Sequence, residues 1–165
     1  MSRAFVNEDD QREVPFVPPR ADLPSGTPNY VTPTGMENLL KEKEMLLTEL
    51  KELSIGDDHD KANIIIIVNT QLKMLENRIL SAQVISNESD SDKEVRFGSS
   101  IILQIGEDKK TQKFQIVGVD EADIKQGKIS FISPLARILI HKKAGESFAL
   151  KLAGGERKFK VIAIE

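Results

Sequence analysis

The sequence predicts an α+β protein in which an antiparallel helical hairpin precedes a small β-rich module. Two patterns carry that expectation. Apolar residues recur at helical spacing over residues 32–85, and from residue 95 onward they alternate in short runs between turn residues. A third observation sets where the hairpin begins. Residues 1–31 hold five prolines (Pro15, Pro18, Pro19, Pro24, Pro28) and no sustained apolar period, so a disordered or extended tail is expected there.

Thr32-Pro33-Thr34-Gly35 offers a helix start in two ways. Thr32 can cap ahead of Pro33, or Thr34 can pair with Glu37 as a capping box. Met36, Leu39, Leu46, Leu50 and Leu53 then form a heptad seam broken only by Lys43. That predicts a helix of about 20 residues, roughly 30 Å long. Ile55-Gly56-Asp57-Asp58 interrupts it with turn-forming residues. Ile65, Val68, Leu72, Leu75, Ile79 and Ala82 resume the spacing, predicting a second helix of about 26 residues, and a short turn makes the two antiparallel. Only Ile65 and Val68 of the run Ile64–Val68 fit the seam. Ile64, Ile66 and Ile67 are expected to widen the core or to add apolar surface near the tip.

Residues 86–94 are polar and acidic and are read as a linker. The module at 95–165 follows. Residues 99–106 and 111–119 are strand candidates around Glu107-Asp108-Lys109-Lys110, and 128–132 is a third. Residues 133–142 are predicted as a short helix with Ser133 as cap and Pro134 at its first position. Residues 147–153 and 157–164 flank Gly154-Gly155, a hairpin-turn signal. An antiparallel sheet is the expected arrangement.

Composition excludes several functions. The chain has no cysteine, which rules out disulfides, thiolate zinc sites and cysteine nucleophiles. No apolar run approaches a membrane span, and acidic residues stand where a signal peptide needs an apolar core, so a cytoplasmic protein without membrane contact is expected. Residues 95–165 carry thirteen basic and eight acidic side chains, a local excess of five positive charges in a chain of net −3. Such a module favours an acidic partner or a phosphate backbone. No recognition helix or basic arm is evident, so any nucleic-acid contact is expected to be generic and salt-sensitive.

Several segments in one order resemble the Gre transcript-cleavage factors, over about residues 32–165. They are Ser81-Ala82-Gln83-Val84-Ile85, Arg96-Phe97-Gly98, Val117-Gly118-Val119-Asp120-Glu121-Ala122-Asp123, Gly127-Lys128-Ile129-Ser130 and Ser133-Pro134-Leu135-Ala136-Arg137. The resemblance implies a coiled-coil hairpin and an FKBP-like C-terminal domain. It also implies a monomeric regulator, not an enzyme, that binds bacterial RNA polymerase at the rim of its secondary channel and modulates elongation. The implied docking residues are Ser133, Pro134, Leu135 and Arg137, supported by Asp120, Glu121 and Asp123. From the residues alone, Ser133-Pro134 could equally be a helix cap, and Asp120 and Asp123 could close a turn.

The family places carboxylates at the hairpin tip, and the resemblance aligns Asp57 and Asp60 with them. The isolated protein needs no cofactor on this reading. In the polymerase the two aspartates would share a magnesium ion and orient water for cleavage of backtracked RNA. Several departures point the other way. Lys61, Asn63 and Ile64 differ from the family pattern, and each arm is about one heptad shorter, a loss of roughly 10 Å of reach. The tip acids could instead cap the second helix, and His59 among them reads as a solvated residue. Alternatives are a channel-binding inhibitor without cleavage, or a coiled-coil adaptor in which Lys43 selects a helical partner. Prolyl isomerase activity, which an FKBP-like fold could suggest, lacks support. Phe97, Phe114, Phe131, Phe148 and Phe159 fall in core patterns, and fold does not carry function.

Overall fold

The computed structural model describes residues 13–56, 61–87 and 94–165. Its elements run β1 (Asn29–Val31), α1 (Pro33–Leu53), α2 (Lys61–Ser81), β2 (Ala82–Val84), β3 (Ser100–Ile105), β4 (Thr111–Val117), β5 (Lys128–Ser130), α3 (Pro134–Leu139), β6 (Ser147–Leu152) and β7 (Gly155–Ile164). A 3-10 turn at Ile124–Gln126 precedes β5. No helix among the described residues is long and apolar enough to cross a membrane.

Thr32 starts α1. Its side chain accepts a hydrogen bond from the Gly35 N–H at 2.9 Å, with Pro33 at the first helical position, so the first of the two possible starts is the one used. α1 and α2 have 21 residues each, about 32 Å. Leu39, Val68 and Leu75 are buried between them, and Met36, Leu46 and Ile79 are half-buried alongside. Lys43, the polar break in the seam, makes an ion pair with Glu76 at 3.1 Å. The hairpin therefore satisfies that position internally. Ile64 and Ile66 are exposed, while Ile67 is half-buried.

Two expectations change at the root of the hairpin. The second helix stops at Ser81, and Ala82, the last residue of the predicted seam, leaves it with Gln83 and Val84 as β2. The cause is the N-terminal segment. Asn29 and Val31 pair in parallel with Ala82 and Val84, and the Ile85 N–H donates to the Val31 carbonyl at 2.9 Å. Asn29 Nδ2 donates to the Arg78 carbonyl at 2.9 Å, giving a partner to one of the helix's terminal acceptors. The expected tail 1–31 accordingly ends in a strand, with Asn29 and Val31 buried.

The C-terminal module is a five-stranded sheet of order β5-β4-β3-β7-β6. All neighbours are antiparallel except β4 and β5, which pair in parallel. The antiparallel expectation misses that pair because the chain does not turn back after β4. It passes through Gly118–Gly127 and re-enters beside β4 in the same direction. α3 covers the inner face, with Ala136 and Leu139 fully buried against Ile101, Leu103, Ile116 and Val161. Burying each such Leu or Ile side chain contributes about 1.5–3 kcal/mol. Phe114 and Phe159 are core residues, and Phe148 stacks on Phe159 with centroids 5.2 Å apart.

The module meets the hairpin at β1. The Tyr30 ring packs on Phe97 and Phe131, with centroids 5.8 and 5.5 Å away. The Tyr30 carbonyl lies so close to Gly118 that a Cβ there would stand 2.5 Å from its oxygen.

Candidate functional site

Ser133-Pro134-Leu135 forms one wall of an apolar groove of about 360 Å³. The local sequence explains the placement. Ser133 has extended backbone and its Oγ accepts from the Ala136 N–H at 3.3 Å, while Pro134 opens the helix, so the loop is fixed by its own cap. Leu135 is half-buried and Pro134 is exposed. Ala122 and Ile124 in the turn before β5, Leu150 and Leu152 on β6, and the buried Phe114 and Ile129 also line the groove. Ile124 is 80% exposed and Leu152 44%, so the rim itself is apolar. An apolar cleft of this kind accepts a side chain or a helix edge from a partner and discriminates little by charge. Arg137 lies on α3 as an exposed cation.

The acidic residues singled out from the sequence do not join this groove as a set. Asp123 caps the 3-10 turn, its Oδ1 accepting from the Lys125 N–H at 3.0 Å. Glu121 is nearly buried and bonds the Thr32 hydroxyl, and its other oxygen lies 3.2 Å from Lys128 Nζ. Asp120 lies between two arginines. Arg20 Nε donates to its Oδ1 at 3.0 Å, and Arg78 Nε stands 2.8 Å from Oδ2. The second is an ionic contact without hydrogen-bond alignment, and Oδ2 has no hydrogen-bond partner among the described residues. Arg20 also grips Glu42 in bidentate fashion at 2.7 and 3.1 Å. Those bonds to Glu42, aided by the Asp120 charge, raise the Arg20 pKa above its usual value against the opposing effect of burial. Asp120 and Glu121 thus have their carboxylates committed inside the molecule.

Sequence reasoning missed Ile124, Leu150 and Leu152 on the groove, and Arg20 and Arg78 on the ion cluster. An isoleucine inside the turn Ala122–Gln126 was a readable signal for the first group. The arginines gave none, because their partner is 42 or 100 residues away. Asp57, His59 and Asp60 lie outside the described residues. Beside them, Gly56 is left-handed and Lys61 Nζ donates to the Ile55 carbonyl at 3.1 Å, tying the end of one arm to the start of the other. Among the described residues no cluster of His, Asp or Glu could hold a metal ion.

Known proteins are similar to this chain in sequence. The profile of the family described as "Transcription elongation factor, GreA/GreB, C-term" matches residues 89–165. Transcription elongation factor GreA of Acidiphilium cryptum is 40% identical over 97 residues, which cover 59% of this chain and 62% of that protein. Others among the first curated relatives are covered over about 60% of their length. GreA of Vibrio vulnificus is 33% identical over 138 residues, 79% of this chain and 88% of the relative. Among solved structures, the GreA/GreB factor of Nitrosomonas europaea is 17% identical with a TM-score of 0.42, and Gfh1 of Thermus thermophilus 22% identical with 0.39. Each covers 82% of this chain and 97% of its own, and at these scores neither adds to the argument. A third of residues identical along nearly nine-tenths of the Vibrio protein takes in the hairpin as well as the β module, and on that ground the chain belongs to the GreA/GreB family.

Proposed function

We propose that this chain is a transcription elongation factor that docks on bacterial RNA polymerase through the groove beside Ser133-Pro134-Leu135 and directs its hairpin into the secondary channel. The observation that carries the reading is the coincidence of that loop with an apolar cleft whose rim residues, Ile124 and Leu152, are exposed. A basic module with an apolar cleft suits a partner that presents a helix edge with acidic flanks. The protein acts as a regulator. Any phosphodiester chemistry belongs to the polymerase active centre and its magnesium, to which Asp57 and Asp60 would lend carboxylates. Arms of 21 residues support the second reading, in which the hairpin occupies the channel and slows synthesis without promoting cleavage.

The test is a titration of core polymerase with the labelled protein, repeated with a Pro134→Ala, Leu135→Ala variant. Binding that the variant loses supports docking through the groove, and no affinity at low salt refutes the proposal. A stalled elongation complex then separates the two modes. Shortened RNA 3′ ends that vanish with Asp57→Ala, Asp60→Ala indicate cleavage stimulation, and slowed extension alone indicates occlusion.

A further inference from the structure

We propose that residues 13–28 form a strap that fixes the angle between the hairpin and the β module, with Arg20 as the positioning residue. The strap has no sheet or helix of its own before β1, so its order comes from what it touches. Arg20 reaches two separate bodies at once: Glu42 on α1 through both guanidinium nitrogens of the fork, and Asp120 in the turn after β4 through Nε. Arg78 of α2 meets the same Asp120 and also donates to the strap's Ala21 carbonyl. Both arginines and Asp120 are largely shielded, with side-chain exposures of 19%, 12% and 9%. Ion pairs in that setting escape most of the salt screening that makes surface pairs weak.

Contacts spread along a junction fix an orientation where clustered ones leave a swivel. The hairpin's own contacts with the module are the packing of Tyr30 on Phe97 and Phe131, the bond of the Thr32 hydroxyl to Glu121 and the meeting of Arg78 with Asp120. The strap adds a further tie at Arg20, ten residues before Tyr30, and links Asp120 to Glu42 on the other arm. Its prolines matter here. Pro18 and Pro19 stiffen the approach to Arg20, and Pro24 and Thr27 close a turn through the Thr27 N–H at 3.0 Å, so the strap loses little chain entropy on ordering. The strap acts in the free protein, whatever the groove binds.

The absence of native cysteine makes the test clean. Spin labels are attached to the full chain at Lys51→Cys near the end of α1 and Lys151→Cys on β6, and the distance distribution is recorded by pulsed electron resonance. The parent protein should give one narrow distance. Arg20→Ala should at least double the width or add a second population, and Arg20→Lys, which keeps the charge but loses the fork, should fall between. Lys43→Ala, which removes an ion pair internal to the hairpin, should leave the distribution as in the parent. An Arg20→Ala distribution that superimposes on the parent overturns the proposal. If Arg20→Ala does not fold, Glu42→Gln takes its place, since that carboxylate is 43% exposed and lies outside the core. A broadened distance in that variant supports the strap, and an unchanged one refutes it.

Discussion

Replacing Gly118 by alanine tests the junction between hairpin and β module directly. The backbone at Gly118 is not left-handed, so alanine is conformationally allowed, and the loss of unfolded-state freedom would favour the variant by about 0.4–1 kcal/mol. Opposing this, the new Cβ would stand 2.5 Å from the Tyr30 carbonyl oxygen, about 0.9 Å short of the 3.4 Å at which ordinary contact begins. The obstacle is backbone, and β1 is held on its other side by β2, so it cannot swing aside as a side chain would. Overpacking of this kind costs about 1–3 kcal/mol. The net expectation is a destabilisation of roughly 1–2 kcal/mol, a fall of roughly 3–8 °C in Tm for a chain of this size. Tyr30 supplies a local probe, since it is the single tyrosine and the chain has no tryptophan. Its emission should become more accessible to a neutral quencher in the variant as the ring separates from Phe97 and Phe131. A variant as stable as the parent, with unchanged quenching, would refute the close approach as a determinant of the junction.

Leu75→Ala should destabilise the hairpin by about 2–5 kcal/mol, because Leu75 is fully buried where the two helices meet β1, and denaturant unfolding followed by far-ultraviolet dichroism would register it. His141, the single non-glycine residue with positive φ among the described residues, should give about 1 kcal/mol of stabilisation as His141→Gly, seen as a higher denaturation midpoint with unchanged slope. Glu94 has its pKa lowered from 4.5, first by the hydrogen bond from Arg96, so its contribution is present above pH 4.5 and is lost as pH falls through the depressed value. The stability difference between the parent and Arg96→Ala should therefore shrink on acidification below pH 4.5. On the proposed function, Ile124→Ala with Leu152→Ala should weaken polymerase binding by about tenfold in a titration while leaving Tm within a few degrees, since the two side chains are 80% and 44% exposed.

What was legible in the sequence follows the range of the interactions concerned. Strands β3, β4, β6 and β7, helix α3 and its Ser133-Pro134 cap are written in local alternation and capping residues, and they stand where those signals put them. The heptad seam likewise located both arms. The end of α2 was not legible, because Asn29 and Val31 intercept it from 53 residues upstream. The partners of Asp120 were hidden for the same reason. A carboxylate in a turn reads as a cap until Arg20 and Arg78 are known to converge on it. On the apolar groove the Ser133-Pro134-Leu135 loop was readable and the strand residues lining it were not, since Leu150 and Leu152 reach it only through the order of strands in the sheet.

The parallel pairing of β1 with β2 also shapes how the chain is assembled. The β1–β2 ladder at the root of the hairpin lies wholly within residues 29–85, so during synthesis the rod can zip shut before any strand of the β module has left the ribosome. Tyr30 would then wait in water as a preformed landing place, and the later module would fold against a finished edge.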